Sequence, residues 1–253
     1  SIRLGTYIAT QFKPVVAKAI YDMTSAKRVL DTSCGWGDRL AGFYSSNATH
    51  YIGCDPNPNT FEVYKKQCIS YEKILGNANP ELTEYKDYFF VDGEKKVTIY
   101  RSGAENLPWG QIDNIDCSFT SPPYFSTEQY NKGGEHEEDQ SWAKYNEYQK
   151  WQDDFFVPVS LACMKRSKHT LINIMDPTIK GKRYYTSDNL IHQVNTFKGQ
   201  IGMKIVQRPK NLKDKEKHKE FMNDMYIENI WVFSEEDYDY FHGTRRQTLE
   251  EFM

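Results

Sequence analysis

The chain lacks any apolar run near the ~20 residues that a bilayer crossing requires, and it shows no signal-peptide pattern. A membrane protein is therefore not expected. Cysteine is scarce and scattered: Cys34, Cys54, Cys68, Cys117 and Cys163, with no CxxC pair. An odd set at such spacings argues against a disulfide framework and a zinc site, so no metal is expected. Most of these cysteines sit in or beside apolar runs, which points to buried thiols in a reducing, cytoplasmic compartment. Internal repeats and long low-complexity tracts are missing too, which removes repeat architectures. Nor is there an overall excess of positive charge; the formal net charge is −3.

What is present is a chain of 253 residues, 39% hydrophobic and 26% charged, long enough to bury one full-sized core. We expect a single domain over 1–253, with 176–225 as a basic insert. The charge is unevenly placed. From Lys165 to Lys219 there are 14 lysines and arginines against four acids (Asp176, Asp188, Asp214 and Glu216), so that segment is +10 and the rest −13. Such asymmetry predicts one basic face on an acidic body, against the blander reading of a solvated lysine-rich loop.

Short apolar runs alternate with longer amphipathic ones. Strands are expected at 28–33, 50–55, 97–102, 114–120, 169–175, 202–208 and 226–233. Helices are expected at 13–24, 37–46 with Asp38 as cap, 59–75 and 145–165. The stretches 76–96 and 126–143 read as loops. Strands alternating with helices predict a parallel α/β sheet covered on both faces, and the last two strands approach a hairpin pattern. Trp142, Trp151 and Trp231 read as core or interface aromatics.

Two motifs carry chemistry. In "VLDTSCGWGDRL" a strand ends at Asp31 and passes through Ser33, Gly35 and Gly37 into a helix. The glycines allow a sharp turn and close approach of a ligand, and the helix start offers unpaired N–H groups. The next strand ends at Asp55-Pro56, 24 residues after Asp31. An acid there suits ribose hydroxyls, both of which a carboxylate can accept. Leu40 stands where a dinucleotide fingerprint would place its third glycine, which favours a nucleoside without phosphates. After the third of these strands Glu105 can accept from an adenine amino group, with Leu107 or Trp109 beside the ring.

The second motif is Ser121-Pro122-Pro123-Tyr124, directly after a strand. Proline cannot donate to a sheet, so the pair must lie past the strand's carboxyl end, where ligands bind in parallel sheets. The loop presents carbonyl oxygens and few donors, which suits a substrate that brings N–H groups of its own. Ser121 Oγ and the Pro122 carbonyl would accept the hydrogens of an exocyclic amino group and draw its nitrogen toward tetrahedral geometry. Tyr124 would stack on a base flipped out of its duplex. Phe125 and Tyr130, later in the same loop, are further substrate contacts.

The glycine turn, Asp55 and Glu105 together resemble the S-adenosylmethionine site of the class I methyltransferases. "TSPPY" resembles the (D/N/S)PPY signature of the DNA amino-methyltransferases, and "QFKPVVAKAIYD", with Phe12, Lys13 and Pro14, is similar to their segment over the methionine moiety. The resemblance implies a Rossmann-like fold with a mostly parallel seven-stranded sheet and a C-terminal antiparallel hairpin. It also implies S-adenosylmethionine as cofactor, the Asp31-type acid at its methionine end, and DNA as partner, as in phage or restriction-modification enzymes. The serine form of the motif favours cytosine N4, whereas its place after the glycine loop is shared with adenine-N6 enzymes. On this reading Lys210, Lys213 and Lys215, with Lys217 and Lys219, meet phosphates, while Tyr184, Tyr185, Asn189 and His192 read base edges. Two alternatives stay open: an RNA or protein N-methyltransferase of the same fold, and a non-catalytic nucleic-acid-binding partner.

Overall fold

The structure, a computed structural model, describes residues 12–125, 133, 135–179, 181–205 and 226–236, with backbone only at 204, 205, 226 and 227. Seven strands make up the first part, with α-helices between β1, β2 and β3 and between β6 and β7: β1 Arg28–Asp31, β2 His50–Cys54, β3 Glu81–Glu84, β4 Tyr88–Asp92, β5 Lys96–Tyr100, β6 Ile115–Thr120 and β7 Ser167–Asn173. A two-residue pair follows, β8 Thr178–Ile179 with β9 Lys182–Arg183, then β10 Phe197–Ile205 and β11 Tyr226–Ser234. Nine of these strands form one sheet in the order β10-β11-β7-β6-β1-β2-β5-β4-β3. The centre, β7-β6-β1-β2-β5, is parallel throughout. Antiparallel pairing enters at both edges, through β11 and β10 on one side and β4 and β3 on the other.

Parallel strands buried on both faces send alternate side chains to opposite cores. Val29, Tyr51, Leu171 and Val232 point to the core built with α1 (Pro14–Met23), α2 (Asp38–Tyr44) and α3 (Pro58–Ile74). Their neighbours Leu30, Ile52, Ile172 and Phe233 point to the other core. That second layer holds α4 (Ser141–Lys144), α5 (Tyr148–Trp151), α6 (Val157–Met164) and α7 (Thr186–Ile191). The five cysteines are all buried free thiols. Among the described residues no helix is long and apolar enough to cross a membrane.

All seven expected strands are present, and the structure adds four: β3 and β4 in the main sheet, which has nine strands rather than seven, and the short β8–β9 pair. The stretch read as a loop over 76–96 contains the β3–β4 hairpin. Its turn-rich flanks hide a short alternation in which Phe89 and Val91 are fully buried, and Tyr85 stacks on Tyr88 across the turn at 4.4 Å. The stretch 126–143 includes a 3₁₀ turn at Glu137–Asp139 and the start of α4. Asp38 is not the cap of α2; Gly37 holds that position, with no side-chain cap bond. The helix expected over 145–165 is interrupted by a π turn at Gln152–Phe156. Pro158 has no N–H for the Asp154 carbonyl, and its ring crowds that turn, so the helix widens there. The last two strands pair as the expected hairpin; Tyr130, Lys210, Lys213 and Lys215, with Lys217 and Lys219, lie outside the described residues.

If the added hairpin is part of the core, Phe89→Ala should destabilise the protein by about 3–5 kcal/mol, the usual cost of emptying a buried phenylalanine site. Phe89 packs edge-on against Phe61 of α3 at 5.2 Å. Urea unfolding checks this, and an unchanged midpoint would make the hairpin an ornament.

Candidate active site

Three loops meet at the carboxyl edge of the parallel strands. The first leaves β1 and turns through Gly35 (φ +58°) and Gly37 (φ +85°) into α2. L side chains enter this left-handed region only at a cost of about 1–2 kcal/mol. Beside Gly35 there is open space: the nearest atom to an ideal Cβ is the Ser33 carbonyl oxygen at 3.8 Å. A ligand can approach the backbone there as closely as the expected cradle requires.

Asp31 faces inward rather than toward a ligand. It is fully buried, and its carboxylate accepts from four donors. Arg39 Nε lies at 2.9 Å and Arg39 Nη2 at 3.2 Å, the Ser33 amide at 3.1 Å and the Tyr51 hydroxyl at 2.7 Å. A carboxylate offers about four lone-pair sites, so none is left for the cofactor contact implied by family resemblance. The reason is burial: an acid this deep must be paired, and Arg39, itself 5% exposed, supplies the charge. Burial alone would lower the Arg39 pKa, but the charge and hydrogen bonds of Asp31 hold it above the ordinary arginine value. Arg39 also donates to the Ser33 carbonyl and lies 5.5 Å from the centre of the Phe12 ring. Phe12 meets Phe119 edge-on at 5.5 Å, so it joins the roof of the core. Pro14 occupies the first turn of α1, where no N–H is needed.

The second loop follows β2. Asp55 Oδ1 accepts from the Asn57 amide at 3.0 Å and the Thr60 hydroxyl at 3.0 Å, and Oδ2 accepts from the Gly35 amide at 3.1 Å. Three of its roughly four lone-pair sites are taken, which leaves room for one hydroxyl rather than the expected two. Burial pushes the Asp55 carboxyl up to about 6, against the opposing effect of these hydrogen bonds. Pro56 and the Asn57 cap lead into α3. Beyond β5, Glu105 Oε1 accepts from Lys144 at 3.1 Å, while its Oε2 is buried with no partner among the described residues. An orphaned buried acceptor fits an amino group such as that of adenine. Leu107 and Trp109 are occupied otherwise. Leu107 is buried in the core, and Trp109 donates to the Ala104 carbonyl at 3.1 Å with the Arg166 guanidinium 5.2 Å from its ring.

The third loop, Ser121-Pro122-Pro123-Tyr124, leaves β6 beside the first. Ser33 Oγ donates to the Ser121 carbonyl at 2.7 Å and lies 2.7 Å from Thr120 Oγ1. The glycine turn and the proline loop are thus hydrogen-bonded to each other. No donor among the described residues meets the Pro122 carbonyl, and Ser121 Oγ lies 3.3 Å from the Tyr124 hydroxyl. Phe125 turns into the core instead of toward a substrate. It has φ +48° and packs against Tyr148 and Trp151 at 5.8 and 6.1 Å.

Tyr124 is also mostly buried, at 7% exposure. It borders a cavity of about 330 Å³ shared with Met175, Asp176, Arg183, Glu228 and Trp231. Its hydroxyl donates to Glu228 at 3.0 Å. Tyr184 stands near this region but rests against Tyr148 at 4.1 Å, and Tyr185, Asn189 and His192 are on the surface of the α7 segment. The sequence reading missed Arg39, Thr120, Lys144 and Glu228. Glu228 had a signal, an acid within the apolar run "YIENIWVF"; the other three had none, because only folding brings them to their partners.

No family model and no curated protein matches the chain. Solved structures do resemble it. Trm1 from Pyrococcus horikoshii, solved with S-adenosyl-L-methionine, is 12% identical with a TM-score of 0.50, over 90% of this chain and 59% of that one. The chain therefore spans about three fifths of Trm1. A methyltransferase from Geobacter sulfurreducens is 11% identical (TM-score 0.47, 90% of this chain, 80% of that one). The methyltransferase domain of bacterial CtHen1-CN is 12% identical (TM-score 0.49, 87% and 96%). The sheet order and the likeness to Trm1 decide the architecture. This is the Rossmann-like class I methyltransferase fold. At such identities the likeness is one of fold alone.

Two predictions follow from the geometry of these acids. Asp31→Ala or Arg39→Ala should each cost about 3–5 kcal/mol by stranding a buried charge, whereas Asp31→Leu with Arg39→Met should cost less than either. Denaturant unfolding ranks the three, and a mild single-mutant loss would show the pair to be dispensable. For Asp55 the folded pKa is raised, from 3.8 to about 6. The neutral acid is thus the form the empty fold favours, and its stabilising contribution is lost as pH rises through that window. Ribose donors need the carboxylate. If the site takes S-adenosyl-L-methionine, the ligand of the Trm1 structure, its affinity should be level above pH 6 and fall about tenfold per unit below it. Calorimetric titration of the wild type and Asp55→Asn tests this; a flat wild-type profile would remove Asp55 from the ribose.

Proposed function

We propose that this chain is an S-adenosylmethionine-dependent methyltransferase acting on an exocyclic amino group of a nucleic-acid base, in DNA first, at cytosine N4 or adenine N6. The observation that carries this reading is the contact between Ser33 Oγ and the Ser121 carbonyl at 2.7 Å. It holds a nucleoside cradle against a loop whose prolines have no N–H to offer. Asp55 and Glu105 would hold the ribose and adenine of the cofactor, and the open backbone beside Gly35 would admit its amino-acid end. When bound, the cofactor supplies an electrophilic methyl: the nitrogen lone pair forms the new bond while the sulfur–methyl pair stays on sulfur.

This chain's own residues prepare the nitrogen. Ser121 Oγ and the Pro122 carbonyl accept its two hydrogens, which turns the lone pair out of the ring plane. The charge that develops on nitrogen is stabilised by the same two acceptors, and one proton then leaves to water. The base enters the cavity bounded by Tyr124, Met175, Glu228 and Trp231, whose volume of about 330 Å³ is at the small-ligand end of binding pockets. The +10 charge of the segment 165–219 supports a phosphate backbone as partner.

Incubation with labelled cofactor and DNA, RNA or protein, followed by nucleoside mass spectrometry, tests the reading. N4-methylcytosine or N6-methyladenine in DNA is expected. Ser121→Ala should lower kcat about 10²–10³-fold, the usual loss on removing one preorganised hydrogen bond, with cofactor affinity unchanged. A methylated base found only in RNA moves the substrate to RNA, and label found only in protein overturns the proposal.

A further inference from the structure

We infer that Glu228, acting through Tyr124, sets the direction of the Ser121 hydroxyl, so that Ser121 Oγ presents only lone pairs to the substrate. The inference rests on the amino-methyl transfer proposed above and names a positioning residue for it. Among the described residues four oxygens lie within hydrogen-bond reach of the Tyr124 hydroxyl. Glu228 Oε1 is at 3.0 Å, the Asn173 carbonyl at 3.3 Å, Asn173 Oδ1 at 3.4 Å and Ser121 Oγ at 3.3 Å. The Asn173 amide is oriented by its Nδ2, which donates to the Asn229 carbonyl at 3.1 Å. Its Oδ1 therefore faces Tyr124 as an acceptor.

Three of the four neighbours can only accept, and a phenol has one proton. If that proton went to Ser121, the tyrosine lone pairs would face three acceptor oxygens, one of them on a carboxylate. Directed instead to Glu228, the nearest of the four, it forms the stronger charge-assisted bond. The hydrogen in the Ser121–Tyr124 contact must then be serine's own. Ser121 Oγ–H points at Tyr124, and its remaining lone pairs face the substrate side. Such a site favours a nucleophile that brings N–H groups over one that presents a bare ring nitrogen or carbonyl. Glu228 reaches the site from β11, whose Ile230 pairs with Asn173 at the end of β7. The acid within an apolar strand thus has a task in the chemistry rather than in the sheet.

A double-mutant cycle tests the chain of bonds. Glu228→Ala and Tyr124→Phe should each lower kcat about tenfold, with cofactor affinity unchanged. The double variant should lose the same tenfold in kcat, because Glu228 reaches the Ser121 hydroxyl through the phenol. Losses that multiply, a change confined to KM, or Glu228→Ala at the wild-type rate would overturn the inference. Should Glu228→Ala fail to fold, Glu228→Gln replaces it: a severalfold loss is expected beside Tyr124 and none in the Tyr124→Phe background, and equal losses in both overturn the relay. Wild-type protein that forms no N-methyl product sinks the functional reading and the relay with it. Wild-type turnover with multiplicative losses sinks the relay alone.

Discussion

Four donors converge on the carboxylate of Asp31: two from Arg39, one from the Ser33 amide and one from the Tyr51 hydroxyl. In this way the end of β1, the start of α2 and the middle of β2 are tied at one buried point. Arg39 extends the tie to the Ser33 carbonyl and to the ring of Phe12. Through Ser33 Oγ it reaches Thr120 and Ser121 at the end of β6. A buried pair of this kind contributes little net stability compared with an apolar substitute, since desolvation offsets much of the attraction. What it does supply is register: the glycine turn and the proline loop have only one arrangement in which every member of this network is satisfied.

The parallel sheet explains why the loops meet at all. β1 lies between β2 and β6, and all three run the same way, so the loops after them emerge at one edge. The division of work among their acids follows from solvation. Asp31 is fully buried and paired, and Asp55 is partly buried, its charge supported by hydrogen bonds and by no paired cation among the described residues. Glu105 keeps one oxygen on Lys144 and one without a partner among the described residues. The better an acid is satisfied inside the protein, the less it can offer a ligand, which ranks Glu105 and Asp55 ahead of Asp31 as binding groups.

The proline loop follows the same logic from the opposite side. Its rigid backbone presents carbonyls, and its aromatic neighbours Tyr124 and Phe125 fasten it from within. Phe125, in a left-handed conformation, wedges against Tyr148 and Trp151. That conformation is costly for a bulky residue, and aromatic packing on both sides offsets it. The loop is thus held by the second core and tied to the glycine turn through Ser33.

Much of this was legible in the chain itself. Apolar runs of strand length marked seven of the nine sheet strands, and paired prolines after one of them located the loop at a carboxyl edge, because proline cannot lie inside a parallel ladder. The GxG spacing marked the turn, and the acid at the tip of β2, read as a ribose contact, is bonded to the Gly35 amide of that turn. The β3–β4 hairpin escaped because its burial comes from contacts such as Phe89 on Phe61 of α3, made by a segment that is turn-rich when read locally. Only the tertiary structure could decide which acid is paired and which is open, or that Tyr124 turns its hydroxyl inward to a glutamate 104 residues away. Local pattern records which residues prefer a strand, a turn or a buried face. Hydrogen-bond satisfaction and charge pairing depend on distances across the fold, and those are set only when the strands have found their neighbours.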